Sequence, residues 1–363
     1  MKPIKTFLSV VLLVTGIMLS SCTAGALSAS SWPGVVASQD TAYVAYTPGV
    51  FAVQLGNGSL AWRYPEKADN TKQFFAPPAI ADTLVIAGDF AKNLYGLDAK
   101  TGALKWTFSS ATGRWIGGPL VVNNLILAPN GDNNLYALNF NGALQWKFKT
   151  DHSLWSQPVS DGKTVYFTST DHKVYALQIS TGQKIWSTDA GASLLSSPAL
   201  NQDNSVLYVG TLGGQVVALD TAAGKVLWRF STSGEVWGTP VFNKDVVYIG
   251  DRGNTVFAID AKTGKSIWKA DVGTNVIGSG AIAQDGVIYA TEGDPAASPG
   301  NGQVYDLSFS NGQKLWSHAI NGKLYTSPVI AGDKILIAIT SADKLLTVLD
   351  SKGNETWSFA VPK

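Results

Sequence analysis

The sequence predicts an all-β fold, an eight-bladed β-propeller of four-stranded antiparallel blades. Three observations predict it. A G-x-x-x-W unit recurs eight times at a period of about 40 residues, each unit contains four short strand-like runs, and proline opens seven of the eight units. A chain of 363 residues would ordinarily divide into two or three domains, but a repeat array of this size closes into one domain with a continuous core. Composition favours the array: charged residues are 15%, glycines number 37 and tryptophans 12, and mean hydropathy is +0.09, which suits a strand-rich globular chain and excludes disorder.

The chain begins with a basic pair, Lys2 and Lys5, and an apolar run from Phe7 to Leu19 that is too short to cross a bilayer, which takes about 20 residues. The run ends in Leu19-Ser20-Ser21-Cys22, the pattern of a lipobox, in which small residues precede a cysteine that is cleaved and lipidated; a plain cleaved signal is the alternative. Residues 1–21 are accordingly expected as a lipoprotein signal, 22–31 as a lipidated tether and 32–363 as the propeller. Cys22 is the sole cysteine, so neither a disulfide framework nor a cysteine-based metal site is expected. Acyl chains on Cys22 would hold the protein to a membrane, each buried methylene contributing about 0.8 kcal/mol. Thr23 follows it, and in a cell with two membranes the absence of aspartate there permits sorting to the outer one. Removing the signal takes two lysines from a formal charge of +1 and leaves about −1, with no basic stripe to engage nucleic acid.

Within each unit, strand A starts at a proline: Pro33, Pro78, Pro119, Pro158, Pro198, Pro240 and Pro328, with Gly280 in the remaining unit. Lacking an N–H, proline suits the first residue of a strand. Strand B is β-branched, as in Val206 to Val209; strand C alternates, as in Val216 to Leu219; strand D carries the tryptophan. The glycine four residues before each tryptophan falls in the C to D turn, where positive φ is wanted. The tryptophans of the series, Trp62, Trp106, Trp146, Trp186, Trp228, Trp268, Trp316 and Trp357, are expected to dock one blade on the next. First and last units look like the middle ones, as a closed monomeric ring requires and a capped solenoid does not. No strand crosses from one end of the chain to the other, so closure is expected from face packing of blades 8 and 1, unless residues 24–30 add a strand.

The segments YGLDAKTGALKWTF, VYALQISTGQKIWS and VFAIDAKTGKSIWK resemble the repeat of the pyrroloquinoline-quinone-type propellers, over residues 32–360. Within that group the chain is most similar to the BamB-type lipoproteins of outer-membrane assembly. The resemblance implies a non-catalytic scaffold whose partners are protein subunits of a barrel-assembly machinery, docking on D to A loops. The matching positions are Ser193-Leu194-Leu195 and Glu235-Val236-Trp237, though the basic residue that the family tends to carry in the first loop is absent. Quinone-dependent dehydrogenases of this fold hold their cofactor against a disulfide of adjacent cysteines beside calcium. With one cysteine, the chain is expected to take no cofactor and no metal.

Other catalytic signatures are missing. There is no G-x-S-x-G or H-E-x-x-H, and His152, His172 and His318 are scattered over different blades. The G-x-G-x-x-A match at Gly278 enters a strand rather than a helix. Asn130 to Asn134 reads as a polar B to C turn, because it lacks the bidentate glutamate of a calcium loop.

The D to A and B to C connections should emerge on one face. Just ahead of strand A lie Phe75, Trp115, Trp155, Leu195, Trp237, Ile277 and Tyr325, of which Trp115, Trp155 and Trp237 are outside the blade-docking series. Two readings stand: they plug the channel mouth as packing, or they form rigid anchors for a protein partner. The partner-binding candidates are Phe75, Trp115, Trp155, Leu194, Leu195, Glu235, Trp237 and Tyr325. The long D to A loop at 65–77 and the blade 7 insertion from Glu292 to Gly302 point to the same face. Asp89, Asp171, Asp251, Arg252, Glu292 and Asp294 are expected there as solvated turn residues.

Overall fold

The computed structural model describes residues 33–69, 71–293, 301–340 and 343–362. The signal, Cys22, the tether, Trp32 and Asp294 lie outside them. The described residues form eight four-stranded antiparallel sheets, each built from four consecutive strands in the order A-B-C-D. Blade 5 is representative, with strands Ala199–Leu200, Val206–Thr211, Gln215–Asp220 and Val226–Ser231. The strand A segments of neighbouring blades contact one another at seven of the eight junctions, including Gly34–Ser38 of blade 1 against Val329–Ala331 of blade 8.

The core is divided among the spaces between blades. Eight apolar clusters fill eight interfaces, and the B and C strands supply most of each because both of their faces are covered. The tryptophan series closes every interface in the same way. Each indole N–H donates to a carbonyl of the next blade, as in Trp62 to Ala99 at 2.9 Å and Trp186 to Thr221 at 2.8 Å. Each indole face also lies against the turn glycine of that next blade, and this sets a second demand on the glycine. Gly224 has φ +70°, and a Cβ on it would come within 2.6 Å of the Trp186 ring. The repeat unit thus spans two blades: the glycine of one unit receives the tryptophan of the unit before.

Closure follows the same rule. The Trp357 indole donates to Leu55 of blade 1 at 3.1 Å and packs on Gly58, while Val35, Val44, Phe51, Leu336, Leu346 and Phe359 fill the space between blades 8 and 1. Among the described residues no strand is exchanged at this seam, so packing and Trp357 hold it.

In every blade the C to D pairing carries a bulge just before the tryptophan. The extra residue turns out to solvent, which leaves Ile185, Leu227, Ile267 and Leu315 about half exposed on the outer strand. The bulge also sets the indole opposite a small residue: Ala52, Gly96, Ala137, Ala176, Ala218 and Ala258 in six blades. Blades 7 and 8 depart from this, with Asp306 and Val348.

Candidate functional site

The loops leading into strand A reach the propeller axis in extended backbone, so successive side chains alternate in direction. Counting back from the strand-opening proline, or from Gly280 in blade 7, the fourth residue turns in between blades. This series is Phe74, Trp115, Leu154, Leu194, Val236, Val276 and Leu324, none more than 1% exposed. The third residue turns to the axis. That series is Phe75, Ile116, Trp155, Leu195, Trp237, Ile277 and Tyr325, and together with Val35 and Val36 of blade 1 it lines a cavity of about 370 Å³ at the channel mouth.

This register corrects two expectations. Trp115 sits four residues before Pro119, whereas Trp155 and Trp237 sit three before Pro158 and Pro240. Trp115 is consequently buried among Phe108, Ile126 and Tyr136, with its Cβ only 2.3 Å from where a side chain on Gly88 would begin. Leu194 is likewise fully buried, against Val209 and Val217. Neither is presented to a partner. Ile116 holds the place at the mouth that the sequence reading gave to Trp115. Phe75, Trp155, Leu195, Trp237 and Tyr325 do converge there, and Glu235 stands exposed beside them.

Beneath the apolar ring, hydrogen bonds tie one blade to the next. The Gln157 amide donates to Ser197 Oγ at 2.9 Å, Thr239 to Ser279 Oγ at 2.8 Å and Ser279 to Ser327 Oγ at 2.8 Å. Gln157 Nε2 donates to the Pro119 carbonyl at 2.8 Å. These polar groups are largely spent on bracing the ring.

Three of the carboxylates expected as solvated turn residues are instead turned inward. Asp89 and Asp251 are fully buried, and Glu292 is 8% exposed. Asp251 accepts from four backbone amides, Ser233 and Gly234 in the loop ahead of blade 6 and Gly253 and Thr255 in its own turn, at 2.7 to 3.0 Å. Asp132 and Asp171 do the same for the loops ahead of blades 3 and 4, through Thr112 and Asp151. The tyrosines that bond these aspartates, Tyr136 and Tyr175, have their phenol pKa raised by burial and by the carboxylate they donate to. Burial alone would raise the Asp132 carboxyl, but hydrogen bonds from Thr112, Asn134 and Tyr136 outweigh it and hold it below the ordinary range. Asn130 to Asn134 is a self-bonded polar turn, as its sequence suggests, with the Asp132 amide on Asn130 Oδ1 at 2.9 Å. In the long loop at 65–77, Lys72 Nζ donates to Tyr95 Oη at 2.8 Å, and Tyr95 donates to Asp89 at 2.7 Å. Among the described residues, no group of three or more His, Cys, Asp or Glu converges as metal ligands would.

Two arginines at the rim are each stacked on an aromatic ring. Phe75 lies flat on Phe90, with centroids 3.5 Å apart and planes 8° apart, and the Arg114 guanidinium covers Phe90 at 4.9 Å. Arg252 covers Trp237 at 5.1 Å and pairs with Glu235 at 3.2 Å, while the Trp237 indole donates to the same carboxylate oxygen at 2.9 Å. Phe90 and Arg252 each follow a fully buried aspartate, so blades 2 and 6 present related stacks. Arg114 and Phe90 were not picked out by sequence reasoning; the shared Gly-Asp-x turn of Gly88-Asp89-Phe90 and Gly250-Asp251-Arg252 is the signal that could have found Phe90.

Ring, docking tryptophans and apolar mouth together define an eight-bladed propeller of the pyrroloquinoline-quinone-type repeat class. The family described as outer membrane protein assembly factor BamB matches residues 20–147, 132–205, 193–296 and 252–363, and the chain belongs to that family. BamB from Moraxella catarrhalis has a similar fold, with a TM-score of 0.68 at 19% identity over 88% of this chain and 91% of that one. A computationally designed protein, Ika8, superposes with a TM-score of 0.75 at 15% identity over 88% of this chain and 96% of that one. Among curated proteins, a tetrathionate hydrolase of Acidithiobacillus ferrooxidans is 23% identical over 207 residues, 49% of this chain and 42% of that protein. The match thus takes in less than half the length of that relative.

Proposed function

We propose that this protein is a non-catalytic, extracytoplasmic scaffold, anchored by lipid on Cys22, that presents the mouth face of its propeller to protein partners in outer-membrane protein assembly. One observation carries the reading. Apolar and aromatic side chains from seven loops converge on a single mouth over a braced polar girdle, an arrangement suited to holding rigid anchors for a partner. Family membership supports assembly as the setting and an extracytoplasmic location. The decisive experiment is capture of partners from detergent extract with the lipidated protein. Barrel-assembly subunits should be recovered, and should be lost with the pair Trp155→Ala and Trp237→Ala. Recovery that is indifferent to this pair would overturn the assignment of the mouth. A Cys22→Ser variant should appear in the soluble fraction.

The same cavity favours a second reading, a surface propeller that binds or senses a small ligand, since about 370 Å³ is within the range of small-molecule sites. Thermal stabilisation by a small molecule, sensitive to the same substitutions, would distinguish it.

A further inference from the structure

We propose that the mouth receives a protein loop that inserts one large apolar side chain and flanks it with carboxylates. The inference rests on the scaffold reading above and adds the chemistry of the partner. The side chains that ring the top of the cavity are apolar or aromatic, and Gln157, Ser197, Thr239, Ser279 and Ser327 under them already bond one another or a neighbouring carbonyl across blades, with Thr326 Oγ1 left unpaired, so the centre favours an apolar group over an ion. Asp89, Asp132, Asp171 and Asp251 are held inward by backbone amides and tyrosines, which removes them as acceptors for a partner. Arg114 and Arg252 stand exposed at the rim instead, each held by an aromatic ring.

The two arginines are placed to read both sides of one loop. The aromatic rings beneath them belong to blades 2 and 6, on opposite sides of a ring of eight, with Arg114 itself supplied by the loop ahead of blade 3. Arg252 is partly neutralised by Glu235, whereas Arg114 pairs with no carboxylate among the described residues. Pre-stacked arginines lose little conformational freedom on binding, and a guanidinium donates to a carboxylate through a bidentate fork.

The test uses three disulfide-closed hairpin peptides with the loop sequences Asp-Phe-Asp, Lys-Phe-Lys and Asp-Ala-Asp, titrated calorimetrically into the soluble propeller with Cys22 replaced by serine. The Asp-Phe-Asp hairpin should bind at least about tenfold more tightly than either other, and more weakly as salt rises. Arg114→Gln with Arg252→Gln should abolish the preference over Lys-Phe-Lys. Trp155→Ala should weaken Asp-Phe-Asp by about tenfold without shifting Tm. Equal binding of the acidic and basic hairpins, or binding of none of them up to millimolar concentration, would overturn the proposal. Either result with intact, mouth-dependent capture of barrel-assembly subunits would leave the scaffold reading standing; capture indifferent to the mouth would remove that reading instead.

Discussion

Replacing Asp306 by asparagine should make the propeller more stable at neutral pH and leave it unchanged in acid. Asp306 stands opposite Trp316, at the position where six blades carry alanine or glycine, and it is 5% exposed. It takes the space left by Gly286, where a Cβ would come within 2.2 Å of Asp306 Oδ1, and that oxygen has no hydrogen-bond partner. Burial between blades 7 and 8 pushes the carboxyl pKa up to about 6; Asp285 adds to the rise, and the Trp316 indole opposes it. The unfolded chain ionises near the ordinary value of 3.8, so between that pH and about 6 the folded state binds more protons. Stability from this group is therefore complete below about pH 4, falls as pH rises and stays low above about pH 6. A shift of about two pH units corresponds to roughly 2–3 kcal/mol. Thermal denaturation of wild type and Asp306→Asn from pH 4 to pH 8 measures it. The Tm difference should be near zero at pH 4 and about 5 °C in favour of the variant above pH 6. A difference that does not change with pH, or a variant less stable at pH 8, would refute the placement of an ionised carboxylate in this interface.

Four further outcomes are expected. Gly224→Ala should cost at least about 2 kcal/mol, from backbone strain plus collision with Trp186, whereas Gly162→Ala, also at positive φ but with nothing within 4 Å, should cost about 1 kcal/mol; urea denaturation separates them. Trp115→Ala should destabilise the fold by about 3–5 kcal/mol, while Trp155→Ala, at 36% exposure, should stay within about 1 kcal/mol, as read in the same assay. Asp251→Ala should cost about 2–4 kcal/mol by orphaning four backbone amides, and hydrogen exchange should quicken at Ser233 and Gly234. Trp357→Phe keeps an aromatic ring on Gly58 but loses the bond to Leu55, about 1 kcal/mol, so exchange in blade 1 should rise before that in blade 5.

The architecture was legible because a propeller writes its packing rule into every repeat. Each tryptophan needs a glycine one unit later, and the C to D turn independently needs positive φ at that glycine, as at Gly224 and Gly264. Two requirements on one residue produce a pattern with no exceptions over eight units. The sequence left the seam open between face packing and an added strand, yet the same rule extends to it: Gly58 opens the series and Trp357 ends it, and in the ring they meet. Strand A was the weak point. Its segments are only two to five residues long, and the proline marks their start without fixing which way the preceding side chains turn.

That ambiguity is where the site reading went wrong. Alternation in an extended chain gives residues three and four before the proline opposite fates, so a one-residue misregister exchanges an anchor for a core residue. Trp115 and Trp155 have the same composition signal, yet one is 1% exposed and the other 36%. Size and hydrophobicity cannot separate them; only the distance to Pro119 or Pro158 does. The aspartates failed differently. A Gly-Asp-x turn on a loop face looks solvated, and nothing local shows that the amides of the preceding loop, 17 and 18 residues away in sequence, will come to the carboxylate, as Gly234 and Ser233 come to Asp251. Both errors have one cause: side-chain direction at the mouth is set by contacts between blades rather than within one. Asp306 shows the converse, since a carboxylate where other blades carry alanine is a departure visible in the aligned repeats, and the glycine that makes room for it, Gly286, lies one strand away in the same blade. Departures from a repeat are therefore the positions where a propeller's sequence says most about what distinguishes one blade from its neighbours.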